Sequence, residues 1–331
     1  MKKIKVAING FGRIGRVFTR SLSQNDNIEL IAINDLVDAE TLSYLLKYDS
    51  IHGLNPNEIS CKGDSIHINN SSVKVYSERD PENLPWDELG IDVVIEATGF
   101  FRTREGASKH ITAGAKKVII SAPASDTDIK TIVMGVNDQI IDGTESILSN
   151  ASCTTNCAAP MIKIIEKICK IKTGYITTIH AYTGDQNIHD APHKDLRRAR
   201  AAARSIIPTS TGAAKAIGKI FPELNGKLEG IGIRVPVLNG SLTDIICVVE
   251  NPATKEALNS AFLNASKGEM KDIMSYTEDP IVSNDIIGNA NSCIIDAGLT
   301  TVQENTVRVI GWYDNEFGYS NRLIDLVKKI C

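Results

Sequence analysis

The chain is expected to fold as an α/β protein whose N-terminal part is an open, doubly wound parallel sheet. Three observations carry this. Short apolar runs alternate with helix-compatible stretches through the first 150 residues. A glycine-rich turn joins the first run to the first helix, and an acidic residue closes the second run. At roughly 100–200 residues per domain, 331 residues suggest two domains.

K-I-K-V-A-I-N (3–9) reads as the first strand, and G-F-G-R-I-G (10–15) as its turn. V-F-T-R-S-L-S continues as a helix, and I-E-L-I-A-I-N-D (28–35) is the second strand, ending in Asp35. In such a β-α-β unit Gly10 permits the tight turn. Gly12 lets the backbone approach a pyrophosphate, and Gly15 lets helix and strand pack closely. A helix N-terminus offers N–H groups and partial positive charge to the phosphates. Asp35 suits ribose hydroxyls and repels a 2′-phosphate, which favours NAD over NADP. The unit is therefore Rossmann-type. I-D-V-V-I-E-A-T-G (91–99) and K-V-I-I-S-A-P (117–123) read as further strands. Ligands sit beyond the carboxyl ends of such strands, which brings in Thr98, Gly99 and Ser121. Arg79, in S-E-R-D-P, is a candidate neighbour of the adenine, or else a solvated surface arginine.

Composition narrows the function. With 42% hydrophobic and 23% charged residues the chain resembles an ordinary soluble protein. A net charge of −4 gives no support for nucleic acid as the main partner. No apolar run reaches the roughly 20 residues that span a bilayer, and the N-terminus has no signal-peptide core. The expected location is the cytoplasm. The seven cysteines are widely spaced and do not form a disulfide framework.

A-S-C-T-T-N-C-A-A-P (151–160) then raises the chemistry. Ser152 and the threonines suit a helix start, which puts Cys153 where the helix dipole and N–H groups stabilise a thiolate. Cys157, one turn on, is expected to be buried and inert. A metal clip needs more ligands than the spacing offers, so no metal is expected. A redox pair more often has two intervening residues. A catalytic thiol needs a base, and His180 closes the strand-like G-Y-I-T-T-I-H. A neighbouring imidazolium is expected to lower the thiol pKa further. Arg234, in G-I-G-I-R-V-P, and Arg198, within the basic run 193–205, are candidate phosphate ligands. Thr211 and Gly212 precede a helix-like stretch, another ready anion site.

The set G-F-G-R-I-G-R, S-C-T-T-N-C, H-A-Y-T-G-D-Q, G-I-R-V-P-V and W-Y-D-N-E-F-G-Y-S resembles the phosphorylating glyceraldehyde-3-phosphate dehydrogenase family, over about residues 3–330. The likeness is to its bacterial and cytosolic branch. The resemblance implies Cys153 as nucleophile and His180 as its base. It implies Arg13, Ile14, Asp35, Arg79, Ser121 and Asn315 around NAD, with Tyr319 near the nicotinamide. It implies Thr183 and Arg234 for the substrate phosphate, and Ser152, Thr154, Arg198, Thr211 and Gly212 for inorganic phosphate. The strand-rich alternation ends near residue 150, which bounds an NAD-binding domain at 1–150, and the resemblance implies that a C-terminal helix, 314–331, completes it. Residues 151–313 would form an α+β catalytic domain with a mainly antiparallel sheet. The family is typically a homotetramer. Gly184 departs from it, standing where many relatives carry Asn. Leu36 and Pro192 match the NAD-preferring pattern. Competing readings are an erythrose-4-phosphate dehydrogenase, a Cys/His acyltransferase, which would leave the glycine-rich turn idle, and a non-catalytic surface or RNA-binding role.

Overall fold

A computed structural model of the chain describes residues 3–23 and 25–331. These group into two compact units. The first comprises Met1–Ile132, Gln139–Ala151 and Ser320–Cys331, the second Val133–Asp138 and Ser152–Tyr319. Against the expected bounds, residues 133–138 and 314–319 fall with the second unit, and Ala151 with the first.

The first unit contains β1 (Ile4–Asn9), α1 (Arg13–Leu22), β2 (Ile28–Asn34), α2 (Ala39–Lys47), β3 (Tyr48–Asp49), β4 (Gly53–Leu54) and β5 (Ile59–Lys62). It continues through β6 (Ser65–Ile68), β7 (Ser71–Tyr76), α3 (Trp86–Leu89), β8 (Val93–Glu96), α4 (Arg104–Thr112), β9 (Lys117–Ile120) and β10 (Ile147–Ser149). The sheet order is β10-β9-β8-β1-β2-β7-β6-β5. Pairing is parallel from β10 to β7, and antiparallel for β7-β6 and β6-β5. The burial follows from that arrangement. All four residues of β8 are buried, as expected of a parallel strand covered on both faces. β7, where the antiparallel pairing begins, alternates instead, Val73 and Val75 facing in. Trp86, Ile91, Val94, Val118 and Ile120 belong to one buried core built around β8 and β9.

The turn after β1 requires glycine twice. Gly10 has φ +91°, and a Cβ on it would lie 2.7 Å from the Thr98 backbone nitrogen. A Cβ on Gly15 would lie 2.7 Å from the Gly10 carbonyl oxygen.

The second unit begins with α5 (Cys153–Cys169), β11 (Ile171–Ala181), β12 (Ile207–Ser210), α6 (Ala213–Ile220), β13 (Leu228–Val235) and β14 (Ser241–Val249). After these come α7 (Lys255–Lys267), β15 (Met274–Thr277), β16 (Cys293–Asp296), β17 (Thr301–Gln303) and β18 (Thr306–Tyr313). Its sheet runs β12-β13-β11-β14-β18-β16-β15, with β17 on β18. Only β11-β13 and β15-β16 are parallel, so the sheet is mainly antiparallel. The last helix is α8 (Phe317–Ile330). From Ser320 on it belongs to the first unit, where Leu323, Ile324, Leu326 and Val327 are buried. No helix among the described residues is long and apolar enough to cross a membrane.

Candidate functional site

In the second unit two strand ends and one helix start converge. Ser152 is the N-cap of α5, its Oγ accepting from the Thr155 N–H at 3.1 Å. That makes Cys153 the first residue of the helix. The first turn carries no acidic residue to oppose the positive end. Parallel pairing of β11 with β13 sets His180 and Arg234 side by side in register. Cys153 Sγ lies 3.4 Å from His180 Nε2.

Two groups compete for the other imidazole nitrogen. The Ala181 carbonyl oxygen is 2.7 Å from Nδ1, and Arg234 Nη1 is 2.6 Å from it. The carbonyl can only accept, and the guanidinium can only donate. A proton on Nδ1 leaves a lone pair on Nε2 facing the sulfur. A lone pair on Nδ1 instead leaves Nε2–H facing it. The position of Arg234 thus decides whether His180 meets Cys153 as a base or as an acid.

The electrostatics correct one expectation. Burial, followed by the Arg234 charge, pushes the His180 pKa down to about 3, which disfavours an imidazolium beside the thiol. Cys153 is partly exposed as a residue, yet desolvation raises its thiol above the ordinary value, opposed first by Arg234. Arg234, not a charged histidine, is the cation that favours the thiolate.

Tyr313 was not singled out by sequence reasoning. It is buried, and its hydroxyl bonds Thr154 Oγ1 at 2.9 Å and Thr178 Oγ1 at 2.8 Å. Its ring meets the His180 ring edge-on, centroids 5.9 Å apart. Tyr313 therefore ties the residue after the thiol to the strand that carries the imidazole. Ser241 was also missed. Its Oγ accepts from the Ala181 N–H at 3.1 Å and donates to Asn315 Oδ1 at 2.7 Å. This orients the Asn315 amide with Nδ2 turned away from Ser241. The available signal was positional, since Ser241 and Tyr313 are register partners at two strand ends.

The remaining candidates of this unit vary in what they offer. Arg198 donates through Nε to Thr209 Oγ1 at 2.9 Å and is ion-paired with Asp185. Its guanidinium is held by protein groups. The Thr154 hydroxyl is likewise engaged, by Tyr313. Thr183 and Thr211 are half-buried, and Gly212 is the exposed N-cap of α6 with no side-chain cap. Tyr319 is buried. A Cβ on Gly184 would meet nothing within 4 Å, so space does not require glycine there.

In the first unit the glycine-rich turn fits a dinucleotide. Gly12 is the N-cap of α1 and supplies no side-chain cap. A Cβ on it would meet nothing within 4 Å, so the glycine leaves open room beside a helix start. Arg13 and Ile14 are the first two residues of that helix, and the Arg13 guanidinium is taken by Asp49 at 2.6 Å. Asp35 Oδ2 accepts from the Phe11 N–H at 2.7 Å, and Oδ1 from the Val37 N–H at 3.0 Å. The carboxylate thus braces the turn as well as marking the end of β2. Thr98 and Gly99 form the turn after β8, with Gly99 at φ +78°. The Ser121 N–H donates to the Glu96 carbonyl at 2.9 Å. Arg79 is exposed.

Comparisons with known proteins agree with both halves. The family model "Glyceraldehyde 3-phosphate dehydrogenase, NAD binding domain" matches residues 4–104, and "Glyceraldehyde 3-phosphate dehydrogenase, C-terminal domain" matches 152–315. The chain is 55% identical over 326 residues to glyceraldehyde-3-phosphate dehydrogenase 2 of Streptomyces avermitilis, covering 98% of this chain and 97% of the relative. It is 53% identical over 330 residues to the glyceraldehyde-3-phosphate dehydrogenase of Priestia megaterium, covering 99% and 98%. It is 52% identical over 330 residues to glyceraldehyde-3-phosphate dehydrogenase 1 of Bacillus subtilis, with the same coverage.

Proposed function

Because the chain belongs to the glyceraldehyde 3-phosphate dehydrogenase family, we propose that it carries out the NAD-dependent oxidative phosphorylation of D-glyceraldehyde 3-phosphate to 1,3-bisphosphoglycerate. The observation that carries the reading is the Cys153 thiol 3.4 Å from His180 Nε2, with Arg234 at the opposite ring nitrogen.

A carbonyl holds no transferable hydride, and the thiol answers that difficulty. Cys153 adds to the aldehyde and gives a thiohemiacetal. The nicotinamide of NAD, when bound, supplies the hydride acceptor. His180 Nε2 takes the hydroxyl proton as the carbon is oxidised, a role worth roughly 10²–10⁴-fold. The product on Cys153 is a thioester. Inorganic phosphate attacks it, the C–S bond breaks, and the acyl phosphate leaves with the thiolate restored. For His180 to act as a base its Nδ1 proton must rest on the Ala181 carbonyl, with Arg234 drawn off Nδ1. The phosphate of the substrate is the group that draws it, by a forked ion pair. Substrate binding then sets the tautomer that the oxidation needs.

Gly10, Gly12, the start of α1, Asp35, Thr98, Gly99 and Ser121 serve NAD, as does Asn315 through the Nδ2 that Ser241 leaves for the nicotinamide amide. Thr183 joins Arg234 at the substrate phosphate. Ser152, Thr211, Gly212 and Arg198 serve inorganic phosphate, and Arg198 must loosen from Asp185 to do so. The chain works as one subunit of a homotetramer in the cytoplasm, a compartment that keeps the thiol reduced. Support for assembly comes from apolar side chains left outside, among them Tyr175 and Ile231 on the sheet and Leu196, at 82% exposure, in the loop before β12.

The test is NADH formation from glyceraldehyde 3-phosphate, NAD and phosphate by wild type and Cys153→Ser. Phosphate-dependent turnover that vanishes in the variant supports the reading. Faster turnover of erythrose 4-phosphate, or turnover in the variant, opposes it.

A further inference from the structure

Beneath the two turns of the first unit lies a buried polar network with no part in the chemistry above. Glu96 ends β8, Asn9 ends β1, Asn34 ends β2, and all three are buried. His110 of α4 and Trp86 of α3 are 0% exposed. The Trp86 indole Nε1 donates to His110 Nδ1 at 3.1 Å. An indole nitrogen can only donate, so Nδ1 must accept and the imidazole proton sits on Nε2. Nε2 lies 3.1 Å from Glu96 Oε2 and donates to it. Asn9 Nδ2 donates to the same oxygen at 2.6 Å, while Asn9 Oδ1 accepts from Asn34 Nδ2 at 2.7 Å. Glu96 Oε1 accepts from the Thr98 N–H at 2.8 Å and from the Thr98 hydroxyl. That hydroxyl accepts in turn from the Phe100 N–H at 3.0 Å.

We infer that Glu96 is a positioning residue for the dinucleotide, holding the Thr98–Gly99 turn on one oxygen and the end of β1 on the other, in a tautomer state locked by Trp86. The inference rests on the NAD reading above and deepens it. The two turns approach so closely that a Cβ on Gly10 would lie 2.7 Å from the Thr98 nitrogen. A shift of either turn therefore moves the other.

Each donor direction is fixed, which makes Glu96→Gln informative. With its N–H₂ toward the turn the new amide opposes the Thr98 N–H, and with its N–H₂ toward β1 it opposes Asn9 Nδ2 and His110 Nε2–H. Neither of that last pair can reverse: Asn9 is held by Asn34, and the His110 proton cannot move to Nδ1 while Trp86 donates there. Removing the indole donor frees the proton to move, and Nε2 can then accept from the new amide. Isothermal titration of NAD into wild type, E96Q, W86F and E96Q/W86F measures this directly. E96Q is expected to bind NAD about tenfold or more weakly, the effect of a buried donor left without an acceptor. W86F is expected to cost less affinity, or to restore some, in the E96Q background than in wild type. Alkylation of Cys153 by iodoacetamide, which reads the second unit, is expected to be unchanged in E96Q. Should E96Q not fold, E96D keeps both oxygens but retracts them, and is expected to bind NAD several-fold more weakly. Wild-type affinity in E96Q, or in E96D where that stands in, overturns the inference. Wild-type protein that binds no NAD overturns the cofactor reading and this inference with it.

Discussion

After burial, Arg234 is the next influence on both titrating groups of the thiol site. Replacing it by glutamine removes the cation that favours the Cys153 thiolate, so alkylation by iodoacetamide at fixed pH should slow about threefold or more. An unchanged alkylation rate would detach Arg234 from the thiol. His180 gives a second, thermodynamic signature. Its pKa in the folded chain is about 3, against an ordinary value near 6.5. Between those values the unfolded chain binds the extra proton. Native stability therefore falls as pH drops through that window, by about 1.4 kcal/mol per pH unit from this residue. Denaturant titrations across that range should show a shallower pH slope in His180→Asn than in wild type. Cys153, His180 and Arg234 were all legible in the sequence, as residues at a polar helix start and at strand ends. Their charge states were not. The sequence suggests a Cys–His ion pair, whereas burial and the register partner Arg234 set the opposite balance.

Tyr313 shows how the elements hold that site. Its hydroxyl bridges α5, through Thr154, to β11, through Thr178. Tyr313→Phe keeps the packing and removes both bonds. It should lower kcat roughly tenfold, a cost typical of one or two hydrogen bonds that fix reacting groups, while NAD affinity measured by titration stays level. A fall in NAD affinity with kcat intact would refute the bridging role. The aromatic motif W-Y-D-N-E-F-G-Y-S was visible in the sequence. That its tyrosine reaches back to the cysteine helix depends on the pairing of β14 with β18, a contact far apart along the chain. Helix α8 makes the complementary point. Its apolar spacing marked a buried face, and Leu326 is fully buried in the first unit. Leu326→Ala should cost about 2–5 kcal/mol of stability, measured by the denaturation midpoint. A loss below about 0.5 kcal/mol, the range of surface substitutions, would contradict that packing.

At the scale of the whole molecule, the parallel sheet announced itself because its central strands are short, continuous apolar runs ending in Asn9, Asn34 and Glu96. The antiparallel sheet of the second unit did not, and the expectation of it came from resemblance. Its strands alternate burial, and residues such as Tyr175, Ile246 and Val248 face outward, which blurs the apolar signal. Those outward side chains carry the expectation of assembly. Light scattering should give about four times the 35.9 kDa chain mass; a monomer at micromolar concentration would refute it.

The central claim is that oxidation leaves an acyl group on Cys153 which phosphate, rather than water, removes. Rapid mixing of the protein with NAD and glyceraldehyde 3-phosphate, first without and then with phosphate, tests it most directly. The account predicts a burst of NADH approaching one per active chain, a stall, and renewed turnover when phosphate is added. Continuous turnover without phosphate, or no burst in a protein that binds NAD, would contradict it.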